Sequence, residues 1–539
     1  KEVTMRVVII GGVAGGAGAA TRLRRLDESA EIIILERGDM ISYANCGLPY
    51  YLGGVIAEKG ALSVATPEFL KIRFNIDVRV RSEAVKIDRE AHTVTVKDER
   101  GEYLLSYDKL ILATGARANT FGLGGDGVFV LKDVADTLGL DEYIDRNGVG
   151  KVVVAGGGFI GIETAENLRE RGLEVVLSEL QPHILPPIDP EFAVVCEDEL
   201  RNNGITVKTG AGIKSISGKD GKLTVVFTDG SETDAGAVVL AMGVTPESGL
   251  VKDFAALFLG AVVTDSEFKI APDIYAAGDV IAVKDAFDKD TKVPLAGPAN
   301  RQGRSVADNI EGIADDNGRR VLGASVVKIF NIVAASVGKS ERALKAAGEE
   351  YLKVYAFPMS HAGYYPGGKQ LKMKLLFAPD GKILGAQAIG EQYAEKQIDV
   401  ISAVMHFGGT VYDLEQMELC YAPPFNSAKS PVNMLGFIAH NVLSGLCPTV
   451  YPEDLTDDSF VLDVRNPSEL RFGGIPGAVN IPLDMLRNNL DKLPKDKKIV
   501  ASCAVGLRGY LAVRILRQHG FDACNLSGGY SLYRLYKRI

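Results

Sequence analysis

Two stretches of this chain repeat one arrangement: a β-branched strand, a glycine-rich turn, a helix and a second apolar strand. The first runs from Met5 through VVII and Gly11-Gly12-Val13-Ala14-Gly15-Gly16 to EIIILE, and the second is KVVVAGGGFIGIETAENLRERGLEVVLSE from Lys151. Each predicts a parallel βαβ unit with a helix N-terminus facing the turn, where backbone N–H groups and the helix dipole favour a phosphate. A chain that carries this twice must build two separate nucleotide-binding layers. With 539 residues, and about 100 to 200 residues per domain, there is room for one or two further domains.

Composition narrows the class. Hydrophobic residues make up 46% and charged residues 24%, and no apolar run approaches the roughly 18 residues needed to span a bilayer. Disorder and membrane insertion are excluded as expectations. A net charge of −9 argues against nucleic acid as a partner while leaving space for a local basic pocket. The apolar opening VVIIGGVAGGAGAA is broken by glycine and runs into the charged TRLRRLDESAEI, so it reads as strand and turn rather than as a signal segment. Six cysteines, Cys46, Cys196, Cys420, Cys447, Cys503 and Cys524, show no CxxC spacing, and six histidines are scattered. They read as reduced thiols of a cytoplasmic enzyme with no metal site.

Along the chain, HTVTVKD and the buried run KLILATG follow the first unit, and a similar series from Gly221 ends in VVLAMG. The stretch from Thr245 through IYAAGDV and GPANRQGRSVADNI reads as a return into the first layer, making the second layer an insertion. After Gly323 come strand-like KIFNI, YLKVYAF, LKMKLLFA and GKILGAQAIG, then an amphipathic helix from Gln397 to His406. The Pro-containing CPTVYPEDL precedes a last α/β region opening FVLDVRNPSEL. The expected limits are 1–115 with 245–322, 116–244, 323–448 and 449–539.

The second turn, Gly156-Gly157-Gly158-Phe159-Ile160-Gly161, fits G-x-G-x-x-G, with Gly156 turning the chain, Gly158 admitting a pyrophosphate and Gly161 packing the helix. Glu179 closes the following strand, where a carboxylate accepts from both adenine-ribose hydroxyls and repels a 2′-phosphate, so NADH is expected there rather than NADPH. In the first turn, Gly11 and Gly16 bracket Val13 at the middle position, and Glu36 ends the next strand.

These elements, with Thr114-Gly115 and Asp279 in AAGD, resemble the flavoprotein disulfide reductases with two dinucleotide-binding domains. The resemblance implies two Rossmann-like domains of α/β class, FAD in the first and NADH in the second, and Asp279 reaching the ribityl and pyrophosphate region. It assigns Gly11, Val13, Ala14, Gly16, Glu36, Arg37, Val85, Thr114, Gly115 and Asp279 to FAD, and Gly156, Gly158, Ile160, Gly161, Glu163, Glu179 and Gly243 to NADH, with Glu163 beside the nicotinamide. Cys46, in SYANCGLPY, stands where such flavoproteins put their redox centre, and no second cysteine lies within 100 residues. Chemistry there must pass through a single sulfur, able to attack a disulfide or persulfide and to be regenerated by electrons from reduced flavin.

GGVAGGAGAATR together with SYANCGLPYYLGG is similar to the coenzyme A-disulfide reductases and their NADH-dependent persulfide reductase relatives. That similarity implies coenzyme A near Cys46, met by Arg22, Asn45, Lys71, Asn300 and Arg301. It implies a homodimer built on an α+β dimerisation domain, with a phenol of HAGYYPGG, Tyr364 in preference to Tyr365, and Tyr421 of LCYAPPF reaching the partner's cysteine as proton donors. The C-terminal Cys503-Ala504-Val505-Gly506-Leu507-Arg508, between KKIVASC and a helix, resembles a rhodanese domain, whose loop N–H groups and arginine favour a thiolate or persulfide anion. Asp463 and Arg465 fit that pattern, whereas Gly474 stands where histidine is common. Cys196, in a helical stretch, Cys420, Cys447 at the linker and Cys524, ahead of a strand, carry no chemical context.

The expected function is NADH- and FAD-dependent reduction of coenzyme A persulfide or other small persulfides, and more weakly of coenzyme A disulfide, with Cys46, Cys503, Tyr364, Tyr421 and Arg508 catalytic. Two alternatives stand beside it: an NADH oxidase or peroxidase cycling Cys46 through sulfenic acid, against which Ala14 counts because a histidine is common there in such relatives, and a redox-sensing flavoprotein. Steady NADH turnover without an acceptor protein discriminates against the sensor.

Overall fold

Arg6–Ile10 is a run of apolar and β-branched residues in which Val7, Val8 and Ile9 are fully buried, and it forms the centre of the first sheet. In this computed structural model, which describes residues 4–539, the sheet order is Lys269–Ala271, Ile274–Ala276, Lys109–Leu112, Arg6–Ile10, Glu31–Leu35 and Asp77–Arg79. Val8 pairs in parallel with Ile33 on one side and Leu110 on the other. Strand Ile274–Ala276 pairs in parallel with Lys109–Leu112, so the chain does return to its first sheet after the second. Continuous apolar runs are what a parallel sheet covered on both faces requires. Helix Ala14–Leu26 lies against helix Ala296–Ile310 on one side of this core.

The second sheet repeats the plan in the order Ile205–Lys208, Glu174–Ser178, Lys151–Ala155, Ala237–Leu240 and Val128–Val130, all parallel. Small antiparallel sheets, Glu83–Asp88 with Thr93–Asp98 and Gly101–Ser106, and Ile213–Lys219 with Lys222–Phe227 and Glu232–Ala235, accompany the two layers.

Chain contacts divide the protein into two compact units. The first runs to Pro182 and resumes over Gly204–Gly323, and the second comprises His183–Asn203 and Ala324–Ile539. The second unit holds an antiparallel sheet ordered Ser325–Ile329, Ile332–Gly338, Ile383–Gly390, Lys372–Phe377 and Leu352–Ala356, with helix Ala394–His406 beside it. It also holds a parallel sheet ordered Thr449–Val450, Ala523–Leu526, Ile499–Ser502, Phe460–Asp463 and Val479–Asn480. Cys524 lies inside strand Ala523–Leu526, paired with Val500, rather than ahead of a strand as its sequence position suggested. All six cysteines are free thiols. Among the described residues, no helix is long and apolar enough to cross a membrane.

Segment 183–203 falls inside the stretch expected to belong to the second layer, yet it makes its contacts in the second unit, and a buried ion cluster explains this. Lys374 is wholly buried, and its Nζ lies 2.7 Å from Asp189, 2.7 Å from Glu191 and 2.8 Å from Glu341. Lys353 binds Glu341 at 3.0 Å and Glu453 at 2.6 Å. The Tyr355 hydroxyl donates to Glu191 at 2.6 Å and lies 3.0 Å from that of Tyr536, while Arg538 pairs with Asp198. Burial works against charge here, but the carboxylates hold Lys374 protonated, and Lys374 and Lys353 keep Glu341 well below the usual carboxylate range. Among the described residues, the three carboxylates Asp189, Glu191 and Glu341 have a spacing that suits a metal ion, and the cation among them is the Lys374 ammonium.

Replacing Lys374 by Met leaves three carboxylates facing one another without their cation. The expected cost is about 3–5 kcal/mol in urea unfolding at neutral pH. Acid protonates the orphaned carboxylates of the variant and breaks the ion pairs of the wild type, so the difference narrows as pH falls. A loss below about 1 kcal/mol at neutral pH contradicts this account of the cluster.

Candidate active site

The two glycine turns are built alike at their first and last glycines. Gly11 and Gly156 take φ values of +104° and +108°, and a Cβ on either would overlap the carbonyl oxygen of Ala113 or Ala241, at the end of the neighbouring strand. A Cβ on Gly16 would overlap the carbonyl oxygen of Gly11, and one on Gly161 that of Gly156. These contacts draw each helix against the strand before it. Val13 and Gly158 are then equivalent, each preceding the first residue of its helix. The acidic residues match too: Glu36 accepts from Gly12 N–H at 3.0 Å and Gly38 N–H at 2.8 Å, while Glu179 accepts from Gly157 N–H at 2.7 Å and Gln181 N–H at 2.7 Å. Each carboxylate is pinned at the mouth of its turn.

Gly158 differs from the packing glycines. Its φ is an ordinary −80°, and a Cβ there would meet nothing within 4 Å. Nothing in the chain itself requires glycine at that position, which fits a turn that admits a pyrophosphate from outside. Gly115 and Gly243 close the two layers with φ of +66° and +81°, and Thr114 Oγ1 donates to the Glu247 carbonyl at 2.7 Å. Arg37 lies 3.9 Å from Glu247, Ala14 opens its helix, and Val85 and Ile160 are exposed.

Cys46 sits in the 3₁₀ turn Asn45–Gly47 that leads directly into helix Leu48–Leu52. Tyr50, one helical turn after Cys46, donates its hydroxyl to Glu163 Oε1 at 3.2 Å. Glu163 stands on helix Phe159–Glu170, which rises from the second glycine turn, and Arg171 Nη1 donates to the Leu52 carbonyl at 3.3 Å. The cysteine's helix therefore docks on the helix of the second cradle. Asn45 Nδ2 reaches the Lys132 carbonyl at 3.4 Å. Cys46 is exposed, which leaves an approach for a substrate. The protein behind the sulfur pushes its thiol up, with Glu163 and Asp279 adding to burial and Lys132 opposing them. Burial likewise raises Glu163 and Asp279 and brings Tyr50 to about 12.

The residues expected to meet coenzyme A are differently committed. Arg22 Nε is paired with Asp308 at 2.6 Å, Lys71 Nζ bonds Asn75 Oδ1 at 3.0 Å, and Asn300 Nδ2 caps the Ala296 carbonyl at 2.9 Å. Arg301 is exposed on the same helix as Asn300.

In the second unit, the Tyr364 and Tyr421 hydroxyls lie 2.6 Å apart on the surface, and that bond raises the Tyr364 phenol. Tyr365 packs edge-on against His361 instead. Cys503 is buried at the end of strand Ile499–Ser502, and its Sγ accepts from Gly506 N–H at 3.1 Å. Tyr530 and Ser531 N–H groups hold the Cys503 and Ala504 carbonyls at 2.7 and 3.0 Å. Asp463 and Arg465 form a buried pair, with Arg465 stacked 4.5 Å over Tyr530. Gly474 faces Arg465, whose Nη2 would lie 3.4 Å from a Cβ there. Arg508, expected to favour a thiolate or persulfide anion on Cys503, is held by both oxygens of Glu469 at 2.7 Å.

Tyr50, Lys132 and Glu469 were not singled out from the sequence. Tyr50 follows Cys46 at helical spacing and Glu469 completes an N-P-S-E capping pattern, whereas no local signal marks Lys132.

The family described as "Pyridine nucleotide-disulphide oxidoreductase" matches residues 5–303, its dimerisation domain matches 313–431, and a rhodanese-like domain matches 451–535. The chain belongs to the pyridine nucleotide-disulphide oxidoreductases. Coenzyme A disulfide reductase of Staphylococcus haemolyticus is 34% identical over 81% of this chain and 100% of its own length. The structure of reduced CoADR-RHD from Bacillus anthracis superposes with a TM-score of 0.97 at 42% identity, covering 99% of this chain and 98% of that one. An NAD-dependent persulfide reductase from A. fulgidus gives 0.92 at 34% identity, covering 98% and 100%.

Two outcomes follow from this geometry. Gly158→Ala should keep the wild-type unfolding midpoint while weakening pyridine-nucleotide binding about tenfold or more, whereas Gly161→Ala should destabilise by about 1–3 kcal/mol; equal destabilisation of both contradicts the distinction. Glu163→Gln removes a negative charge near Cys46, so the thiol pKa falls and alkylation by iodoacetamide at pH 8 should quicken about two- to fivefold. An unchanged or slower rate removes Glu163 from the sulfur's environment.

Proposed function

We propose that this protein is an NADH- and FAD-dependent reductase of coenzyme A persulfide and related small persulfides, with weaker activity on coenzyme A disulfide. The observation that carries the reading is the exposed Cys46 thiol, in the turn just before a helix that the Tyr50–Glu163 bond ties to the second glycine cradle. In this reading FAD lies along Gly11, Val13, Ala14, Gly16, Glu36, Arg37, Val85, Thr114, Gly115 and Asp279. NADH lies along Gly156, Gly158, Ile160, Gly161, Glu163, Glu179 and Gly243. The Gly158 opening supports such an occupant, and the Glu179 carboxylate disfavours a 2′-phosphate. Coenzyme A runs to Cys46 past Asn45, Lys71, Asn300 and Arg301, and Arg22 joins it by opening its bond to Asp308. The domain limits expected from the sequence belong to the same proposal, as does a cytoplasmic setting that keeps the thiols reduced.

Bound FAD supplies hydride acceptance from NADH and an electron pair for sulfur. The chain's own part is nucleophilic. The Cys46 thiolate attacks the coenzyme A sulfur of the persulfide, hydrosulfide leaves, and a Cys46–coenzyme A disulfide forms. Two electrons then cleave that S–S bond, returning Cys46 as thiolate and freeing coenzyme A as thiol once protonated. Tyr364 and Tyr421, hydrogen-bonded to one another, give that proton across a homodimer. Cys503 hands sulfane sulfur into or out of this cycle, and its intact loop ranks persulfides above plain disulfides.

Anaerobic NADH oxidation with coenzyme A persulfide, coenzyme A disulfide and peroxide tests the reading. Persulfide should turn over fastest with one hydrosulfide per NADH, NADPH should support about a tenth or less of the NADH rate constant, and Cys46→Ser should abolish turnover. Preference for peroxide, or full activity in Cys46→Ser, sinks it.

A further inference from the structure

The Cys503 loop runs to an arginine, Arg508, whose guanidinium is already paired with a carboxylate. Arg508 Nη1 and Nη2 donate to Glu469 Oε2 and Oε1, both at 2.7 Å, as a planar two-pronged pair. Glu469 Oε2 also accepts the Asn466 N–H at 3.0 Å, which fixes the carboxylate in the turn Pro467–Phe472. Arg508 holds the Glu469 carboxyl down to about 2, so the pair is fully ionised at neutral pH. Arg508 interacts electrostatically with Cys503 and Asp463 as well. The other signature arginine, Arg465, is bound to Asp463 at 2.6 Å, to the Gly473 carbonyl at 3.0 Å and to the face of Tyr530. Both arginines of the signature are therefore neutralised by carboxylates of the chain.

Sulfane-sulfur donors differ in what they demand of such a site. Thiosulfate is a dianion whose sulfonate is bonded directly to the transferred sulfur and departs as sulfite, so it needs an uncommitted cation within a few ångströms. A persulfide R–S–SH departs as a thiolate or thiol with no second charge on the atoms that react. We propose that Glu469, by occupying Arg508, is the specificity-determining residue that makes the Cys503 loop a persulfide site and excludes thiosulfate. In the transfer, the Cys503 thiolate attacks the outer sulfur, the donor's S–S bond breaks with its electron pair leaving on R–S⁻, and Cys503 carries a persulfide. With thiosulfate the same attack expels sulfite. This inference rests on the reading of Cys503 as a sulfur carrier and names its donor class.

The test is thiocyanate formation from cyanide by the full flavin-loaded chain without NADH, using glutathione persulfide or sodium thiosulfate as donor. Wild type should use the persulfide and scarcely use thiosulfate, and Cys503→Ser should lose both. Glu469→Gln should raise kcat/KM for thiosulfate about tenfold or more, through KM, with persulfide changing less than about threefold. Adding Arg508→Met to Glu469→Gln should remove the gain. A folded Glu469→Gln protein with no gain on thiosulfate overturns the inference while leaving Cys503 a sulfur carrier. Absence of Cys503-dependent transfer from either donor overturns both. If Glu469→Gln does not fold, Glu469→Ala is read in its place: a thiosulfate kcat/KM raised about tenfold or more supports the inference, and a wild-type value overturns it.

Discussion

Everything in the first unit depends on two places where a helix is pulled so close to the preceding strand that only glycine fits. At Gly16 and Gly161 a single added carbon would overlap a backbone carbonyl, and at Gly11 and Gly156 it would overlap the end of the adjacent strand. Dispersion and hydrogen bonding then lock each turn at a fixed height above its sheet. That height puts Glu36 and Glu179 at equivalent stations, and it sets the direction of the helix carrying Glu163. Cys46 inherits its place from this frame, because its own short helix is held by Tyr50 and Leu52 to the second glycine helix.

The electrostatics around Cys46 run against a permanently ionised thiolate. Burial, Glu163 and Asp279 raise the thiol, and only Lys132 lowers it. Such surroundings make a sulfur less reactive toward stray oxidants, and its nucleophile forms when a proton acceptor or a cationic neighbour is brought to it. The C-terminal cysteine sits in different surroundings: Cys503 is buried and its sulfur receives a loop N–H, while the arginine of its loop is paired with Glu469. The Lys374 cluster plays a purely structural part in the second unit, fastening segment 183–203 and the C-terminal helix Gly529–Tyr536 to the antiparallel sheet.

The parts legible in the sequence were those whose physics is local. Glycine at fixed spacing between strand and helix announces a close approach, so both cradles, Val13 included, stood out. The CxxGxR loop and the SYANC segment are likewise contiguous. What was not legible joins residues far apart in the chain. Tyr50 and Glu163 are 113 positions apart, and Glu469 and Arg508 are 39, so neither bond has a local signature. Lys374, in LKMKLLFA, looks like the solvent face of a strand, and only carboxylates arriving from positions 189, 191 and 341 make its burial tolerable. Segment 183–203 follows those carboxylates, which is why its contacts depart from the simple insertion plan.

The account turns on one sulfur carrying the substrate. The most direct measurement is intact-mass and peptide mapping of the flavin-loaded chain, quenched with acid after mixing with one equivalent of coenzyme A persulfide in the absence of NADH. The prediction is a single coenzyme A adduct on Cys46, released as thiol when NADH is added before the quench. An unmodified Cys46, with persulfide consumed and the adduct on Cys420 or Cys503 alone, contradicts it.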